Sequence, residues 1–198
     1  IALMKDDDAP LQREALQKVI EETDQLVTTL NAILNIAQIE SGTKREWGDL
    51  DLEAVCRDAA ELYEALAEEK NVQFDARIAP VGRVKGNRQL LAQTVGNLLD
   101  NAIKYTPAGG KVAFTLAEDE SQISVAVADS GPGIPAELRE KALERFVRLD
   151  ASRGPPGNGL GLALVKAVSD QHDAVLALSD NHPGLRVILT FRLATGNS

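Results

Sequence analysis

Three stretches of this 198-residue chain carry residues whose types and spacing suit a phosphorylated ligand. The first runs Asn97-Leu98-Leu99-Asp100-Asn101-Ala102-Ile103-Lys104-Tyr105. On a helix Asn97, Asn101, Lys104 and Tyr105 fall at i, i+4, i+7 and i+8, near one face. The apolar Leu90, Leu91, Val95, Leu98 and Leu99 lie elsewhere. Two amide oxygens and an ammonium on one stripe suit Mg²⁺ with phosphates, because magnesium takes oxygen ligands and keeps positions for water and substrate oxygens. A helix that merely exposes polar groups has the same pattern. The second stretch, Asp129-Ser130-Gly131-Pro132-Gly133-Ile134-Pro135, directly follows an apolar strand-like run. Its glycines bracket a proline in a tight turn that leaves the backbone open to a flat ligand. A carboxylate there can accept from an exocyclic amine, although an ordinary Gly-Pro loop reads alike. In the third, Gly157-Asn158-Gly159-Leu160-Gly161-Leu162, closely spaced glycines open a helix and turn backbone N–H groups toward an anion. The spacing is G-x-G-x-G and no βαβ unit surrounds it, so a dinucleotide fingerprint is excluded on context.

The elements that must position these residues follow from composition and periodicity. The chain is 44% hydrophobic and 26% charged, with 15 Gly, 8 Pro and one Cys. Those values fit one globular domain with an appendage and exclude collagen, low-complexity disorder and a disulfide scaffold. Twenty-one Lys and Arg against 30 Asp and Glu leave a net charge of −9. Such a surface repels a nucleic-acid backbone, so no nucleic-acid partner is expected and any phosphate must be held locally. No apolar run reaches the ~18 residues of a membrane span, which reads as a cytoplasmic fragment without membrane contact.

From Leu16 the residues Leu16, Ile20, Thr23, Val27, Leu30, Leu34 and Ala37 recur at alternating spacings of 4 and 3, the seam period of a helical bundle. Val19, Leu26, Ile33 and Ile36 widen the stripe. A helix of about 30 residues would be about 45 Å long, more than one small domain easily covers, so a hairpin or an intermolecular four-helix bundle is expected, with a helix lying along its own domain as the alternative. Ile1–Lys5 reads as the stump of an earlier helix, and Ser41-Gly42 as a stop. After connecting chain at Trp47–Leu50, a helix is expected over about Leu52–Lys70 with Asp51 as its N-cap. Strands follow at Val72–Ile78, Val112–Leu116, Ile123–Ala128, Val175–Leu178 and Arg186–Arg192. Helices are expected from Asn87 to about Tyr105, over Pro135–Leu143 and over Gly159–Gln171. Adjacent strands joined by short turns imply antiparallel pairing, hence a two-layer α/β sandwich.

Together, in this order, the three stretches resemble the ATP-binding domain of sensor histidine kinases, in the superfamily that includes gyrase, Hsp90 and MutL. Asn97–Tyr105 is similar to that family's N box, Asp129–Ile134 to its G1 box, Glu144-Arg145-Phe146-Val147-Arg148 to its F box and Gly157–Leu162 to its G2 box. The resemblance covers residues 87 to 193. Residues 11–42 resemble the second helix of the family's dimerisation and phosphotransfer hairpin. The resemblance implies an α+β fold of Bergerat type, with a mixed, mainly antiparallel sheet behind the long helix of a dimeric bundle. It divides the chain into a partial hairpin at 1–42, a linker at 43–51 and a catalytic ATP-binding domain at 52–198.

It also implies roles. Asn101 would hold Mg²⁺ with Asn97 beside it, and Lys104 and Tyr105 would approach the phosphates and nucleotide. Asp129 would accept from the adenine amino group, with Gly131, Gly133 and Ile134 at the adenine pocket. Residues 144–158 would form a mobile lid over ATP with Phe146 as its apolar anchor, and Arg148 would neutralise γ-phosphate charge. Gly157, Leu160 and Leu162 would join the nucleotide-binding set, and Gly159 and Gly161 would offer backbone donors. Asn97, Lys104 and Arg148 are the implied catalytic residues. The family's hydrolytic members place a water-activating carboxylate where this chain has Asn97, which cannot take a proton at neutral pH; the kinase branch is therefore favoured. Val147 and Asn158 depart from the family's usual aromatic and Thr. The expected phosphoacceptor histidine is missing, because His172 and His182 both lie outside the arm and read as structural or surface residues. The implied function is γ-phosphoryl transfer from Mg-ATP to an upstream histidine, for relay to a response regulator aspartate by a homodimer. A degenerate, non-catalytic nucleotide-binding scaffold is the alternative.

Overall fold

The computed structural model describes residues 47–149 and 158–193, together with Leu16, Val19, Thr23, Leu30, Ile33 and Leu34 of the arm. Those six are helical, and the Thr23 hydroxyl donates to the Val19 carbonyl at 2.7 Å. The five apolar ones leave their side chains exposed. The rest of the arm reading, Ile1–Lys5 and the Ser41-Gly42 stop included, lies outside the described residues.

The elements are β1 (Gly48–Leu50), α1 (Leu52–Glu69), β2 (Gln73–Ile78), β3 (Val84–Gly86), α2 (Arg88–Tyr105), β4 (Lys111–Glu118) and β5 (Gln122–Asp129). A 3₁₀ turn at Ala136–Leu138 runs into the single-turn α3 (Arg139–Ala142); α4 (Gly161–Gln171), β6 (Val175–Asp180) and β7 (Leu185–Arg192) follow. Asp51 caps α1 as expected, its carboxylate accepting from the Ala54 N–H at 3.0 Å.

Five strands form one sheet in the order β2-β4-β5-β7-β6. Only β2 and β4 pair in parallel, because the connection between them carries β3 and α2 across the sheet; the other pairs are antiparallel. The mixed, mainly antiparallel sandwich expected from the sequence is the fold observed. Period-two alternation sends Val112, Phe114 and Leu116 of β4, Ile123, Val125 and Val127 of β5, and Val187, Leu189 and Phe191 of β7 into the core. The register sets Phe114 opposite Val127 and Val125 opposite Leu189. Leu52, Val55 and Cys56 of α1, Leu91, Val95, Leu98 and Leu99 of α2, and Leu164, Val165 and Val168 of α4 close the layer above them. Asp129 continues the core-facing alternation of β5, paired with Val112, and so ends the strand on the helix side.

The sequence reading has Trp47–Leu50 as connecting chain, yet Gly48–Leu50 forms β1 and pairs antiparallel with β3 as a separate two-stranded ribbon. Three-residue strands are too short to show a period, and their pairing is set by tertiary contact. The helix expected over Pro135–Leu143 is split between the 3₁₀ turn and α3. No helix among the described residues is long and apolar enough to cross a membrane.

Burial makes the only cysteine inert. Cys56 is fully enclosed, and loss of water around its thiol pushes its pKa up to about 12. A disulfide reagent at neutral pH should therefore leave the native chain unlabelled and modify Cys56 at the rate of global opening. Stoichiometric labelling within seconds, without denaturant, would contradict this packing.

Candidate nucleotide site

The site is built from the C-terminal half of α2, the end of β5 and the start of α4. The Asn87 side chain starts α2 by accepting from the Leu90 N–H at 3.0 Å. Leu91, Thr94, Val95, Leu98, Leu99, Ala102 and Ile103 turn its inner face to the core. That rotation leaves Asn97, Asn101 and Lys104 half-buried and Tyr105 exposed along one edge. The last turn is held from two sides. Thr106 donates its hydroxyl to the Ala102 carbonyl at 2.7 Å, and Lys70 donates to the carbonyls of Ile103 and Lys104 at 2.7 and 2.5 Å. A lysine on otherwise unpaired terminal carbonyls is favourable both as donor and as charge at the negative helix end. Burial lowers the Lys70 pKa, and the nearby Asp100 carboxylate works against that shift.

Asp129 is 8% exposed. Its Oδ1 accepts from the Gly131 N–H at 2.8 Å and the Leu185 N–H at 3.3 Å, while its backbone carbonyl accepts from Asn181 Nδ2 at 2.7 Å. Among the described residues Oδ2 takes no hydrogen bond, which leaves an acceptor for a ligand amine. Burial raises the Asp129 pKa, and the two N–H donors oppose that rise. Gly184 permits this enclosure: it sits at φ +115°, and a Cβ there would lie 1.8 Å from the Asp129 carbonyl oxygen. A Cβ on Gly131 would meet the Tyr105 carbonyl oxygen at 2.7 Å, so the turn after β5 lies directly against the end of α2.

The third stretch meets the first at Gly161, where a Cβ would stand 3.2 Å from Asn101 Nδ2. Gly159 has φ +64°, with the Val147 carbonyl oxygen 2.7 Å from where its Cβ would be, and its own carbonyl accepts from the Phe146 N–H at 2.9 Å. Phe146 itself adopts φ +62° with its ring 62% exposed. Its backbone, rather than a buried ring, ties the F-box-like segment to the glycine turn. A non-glycine residue in this region carries a strain of roughly 1 kcal/mol or more. Leu160 is buried, whereas Ile134 and Leu162 are half-buried and Arg148 is exposed. Arg139 steadies the Ile134 carbonyl by donating from Nε at 3.1 Å. Gly157 and most of the expected lid lie outside the described residues.

The three stretches thus touch in series, Asp129 to Gly131, Gly131 to Tyr105, and Asn101 to Gly161. Sequence reasoning missed Lys70, Asn181, Gly184 and Leu185. The Asn181–Gly184 turn reads as a mere turn because its contact with Asp129 spans 52 to 56 residues. The acceptor at Asp129, the amide pair on α2 and the glycine-lined start of α4 fit a purine nucleotide carried with magnesium, by the chemistry of their donors and acceptors.

Residues 86–195 match the family of histidine kinase-, DNA gyrase B- and HSP90-like ATPases. The chain belongs to this family, and within it is the ATP-binding catalytic domain of a histidine kinase. The signal transduction histidine-protein kinase/phosphatase MprB of Mycolicibacterium smegmatis is 35% identical over 173 residues, which cover 84% of this chain and 33% of that protein. The chain therefore spans about a third of the length of the curated relative it matches. A solved structure of a mycobacterial sensor histidine kinase MprB superposes with a TM-score of 0.66 at 30% identity, covering 74% of this chain and 97% of that one. Histidine kinase ThkA, solved in complex with response regulator protein TrrA, gives 0.68 at 26% identity, covering 90% and 52%.

The raised pKa of Asp129 sets stability against binding. Its folded form favours the proton, so its stabilising contribution is present below the unfolded carboxylate pKa and is lost as pH rises through the higher folded value. Asp129→Asn keeps an oxygen for Gly131 and Leu185 without the buried charge. It should raise the melting temperature at neutral pH relative to the native chain while reducing ATP affinity. A lower melting temperature together with retained affinity would contradict this account of the carboxylate.

Proposed function

We propose that this chain is the nucleotide-binding core of a two-component sensor histidine kinase. The γ-phosphoryl of Mg-ATP passes to a histidine of the full protein, for relay to an aspartate on a response regulator. The observation that carries this reading is the junction of Asn101 with Gly161, which sets the Asn101 side-chain amide beside the N-terminus of α4. When bound, Mg-ATP supplies the phosphoryl group and a cation that offsets its charge. The residues divide the remaining work. Asp129 Oδ2 accepts from the adenine amino group, and Gly131 and Gly133 keep the pocket floor free of side chains beside Ile134. Asn101 and Asn97 offer amide oxygens to the cation, and the Lys104 ammonium and Tyr105 border the phosphates. Gly159 and Gly161 present N–H groups at the helix terminus, flanked by Leu160 and Leu162, and Gly157 precedes them in the sequence as a further candidate. Arg148 brings positive charge from the segment after Phe146.

Asn97 has no basicity with which to activate water, so nucleotide is held rather than hydrolysed until a protein nucleophile arrives. His172 is buried and engaged on both ring nitrogens, and His182 belongs to the turn beside Asp129, so the acceptor histidine is supplied from outside these residues. The exposed apolar side chains of Leu16, Val19, Leu30, Ile33 and Leu34 support a homodimer through the arm. The complex of ThkA with TrrA supports a response regulator as the partner.

Two measurements test this reading. Calorimetry with Mg-ATP should show Asn101→Ala binding at least about tenfold more weakly, the loss of one charge-assisted contact of about 1.5–3 kcal/mol; unchanged affinity would remove Asn101 from the site. Incubating the full-length protein with γ-labelled ATP should place an acid-labile, alkali-stable phosphate on a histidine outside this segment. ATP binding without any such phosphate would establish the non-catalytic nucleotide-binding module instead.

A further inference from the structure

Helices α2 and α4 run in opposite directions and meet at both ends. At one end Gly161 lies against Asn101. At the other, the residue that ends α4, His172, meets the residue that caps α2, Asn87: His172 Nε2 accepts from the Asn87 backbone N–H at 3.1 Å. The other ring nitrogen, Nδ1, lies 2.8 Å from the Val168 carbonyl. A carbonyl only accepts and a backbone N–H only donates, so these partners require the neutral ring with its proton on Nδ1. A proton added at Nε2 would face the Asn87 N–H and break the bond.

The ring is also clasped from the arm side. Trp47 stacks on it with centroids 4.6 Å apart and planes at 29°, immediately before β1. Gly86 of β3 is pressed so closely that a Cβ would stand 2.8 Å from His172 Cδ2. His172 therefore joins three things: the segment that follows the arm, the cap of the helix carrying Asn97 and Asn101, and the end of the helix that begins at the glycine turn.

We propose that His172 is a positioning residue for the nucleotide site, registering α2 against α4 from their far ends and doing so only while its imidazole is neutral. The inference rests on the nucleotide-binding reading above. The charged neighbours are mixed. Asp173 adjoins the ring in sequence; Lys85 of β3 and Arg192 of β7 face it across a cavity of about 520 Å³, and Lys85 is paired with Asp49 of β1 at 2.7 Å. Trp47 and His172 line this cavity together. Burial pulls the His172 pKa below its usual value, against weaker opposing effects of Val168 and Asp173. The link is consequently intact at neutral pH. Its contribution is present above the unfolded histidine pKa and is lost as pH falls through the lower folded one.

The test uses Trp47, the only tryptophan in the chain, as reporter. Mg-ATP affinity and Trp47 emission are measured from about pH 8 to about pH 4.5, past the ordinary histidine range because burial lowers this ring's pKa, on the native chain, His172→Gln and His172→Leu. Glutamine keeps an oxygen for the Asn87 N–H and does not titrate; leucine removes the acceptor. The native chain should lose affinity on acidification in step with quenching of Trp47. The glutamine variant should bind like the native chain at the alkaline end and lose less affinity than it as pH falls, keeping only the slope that Asp129 contributes. The leucine variant should bind roughly tenfold more weakly throughout, the scale expected of coupling through a packed network. A glutamine variant with the native pH slope, or a leucine variant with native affinity, overturns the proposal while leaving the nucleotide reading intact. A native chain that binds no nucleotide near pH 8 overturns both.

Discussion

A carboxylate at the buried end of a central strand is the constraint around which this domain is arranged. The register of β5 obliges Asp129 to face the helix layer, where an ionised group is costly unless donors surround it. Those donors come from the turn that follows β5 and from the start of β7, and each approach is possible only because glycine lines it. The arrangement satisfies one carboxylate oxygen and leaves the other for a ligand. The bonds that make the burial tolerable come as much from the turn between β6 and β7 as from the loop after β5.

The helices answer a different requirement. In the proposed reading, phosphate and cation fall to the amides of α2, an ammonium and backbone N–H groups. Their relative placement depends on how α2 is set against α4. Lys70 and Thr106 tie down the near end of α2, while His172 closes the far end, so the polar edge of α2 is fixed between two clamps. In the segment around Phe146, the Phe146 N–H donates to the Gly159 carbonyl while Phe146 itself adopts a left-handed φ.

Much of this was legible in the sequence where a period or a local cap speaks. The alternation of β4, β5 and β7, the apolar face of α2 and the Asp51 cap all follow from neighbours within a few residues. The β1–β3 ribbon was not, since two three-residue strands carry no period and pair across the whole of α1 and β2. Nor was the part played by Asn181 and Gly184, because nothing in Asn-His-Pro-Gly points to a strand end more than fifty residues away. Phe146, an apolar anchor by the family resemblance, is exposed here, with its backbone N–H bonded to the Gly159 carbonyl.

The strand order has a consequence for how the protein comes into being. β5 lies at the middle of the sheet, but one of its neighbours is β7, the last strand among the described residues. During synthesis α1, α2, β4 and β5 leave the ribosome before the turn and strand that supply Asn181, Gly184 and the Leu185 N–H. Pairings so distant in sequence are slow to form, and domains complete as units once their final element arrives. Until then the central carboxylate lacks its distant donors from Asn181 and Leu185. A nascent copy therefore gains its hold on nucleotide only when nearly the whole domain has emerged, and ATP itself then favours the finished sheet over every partly built one.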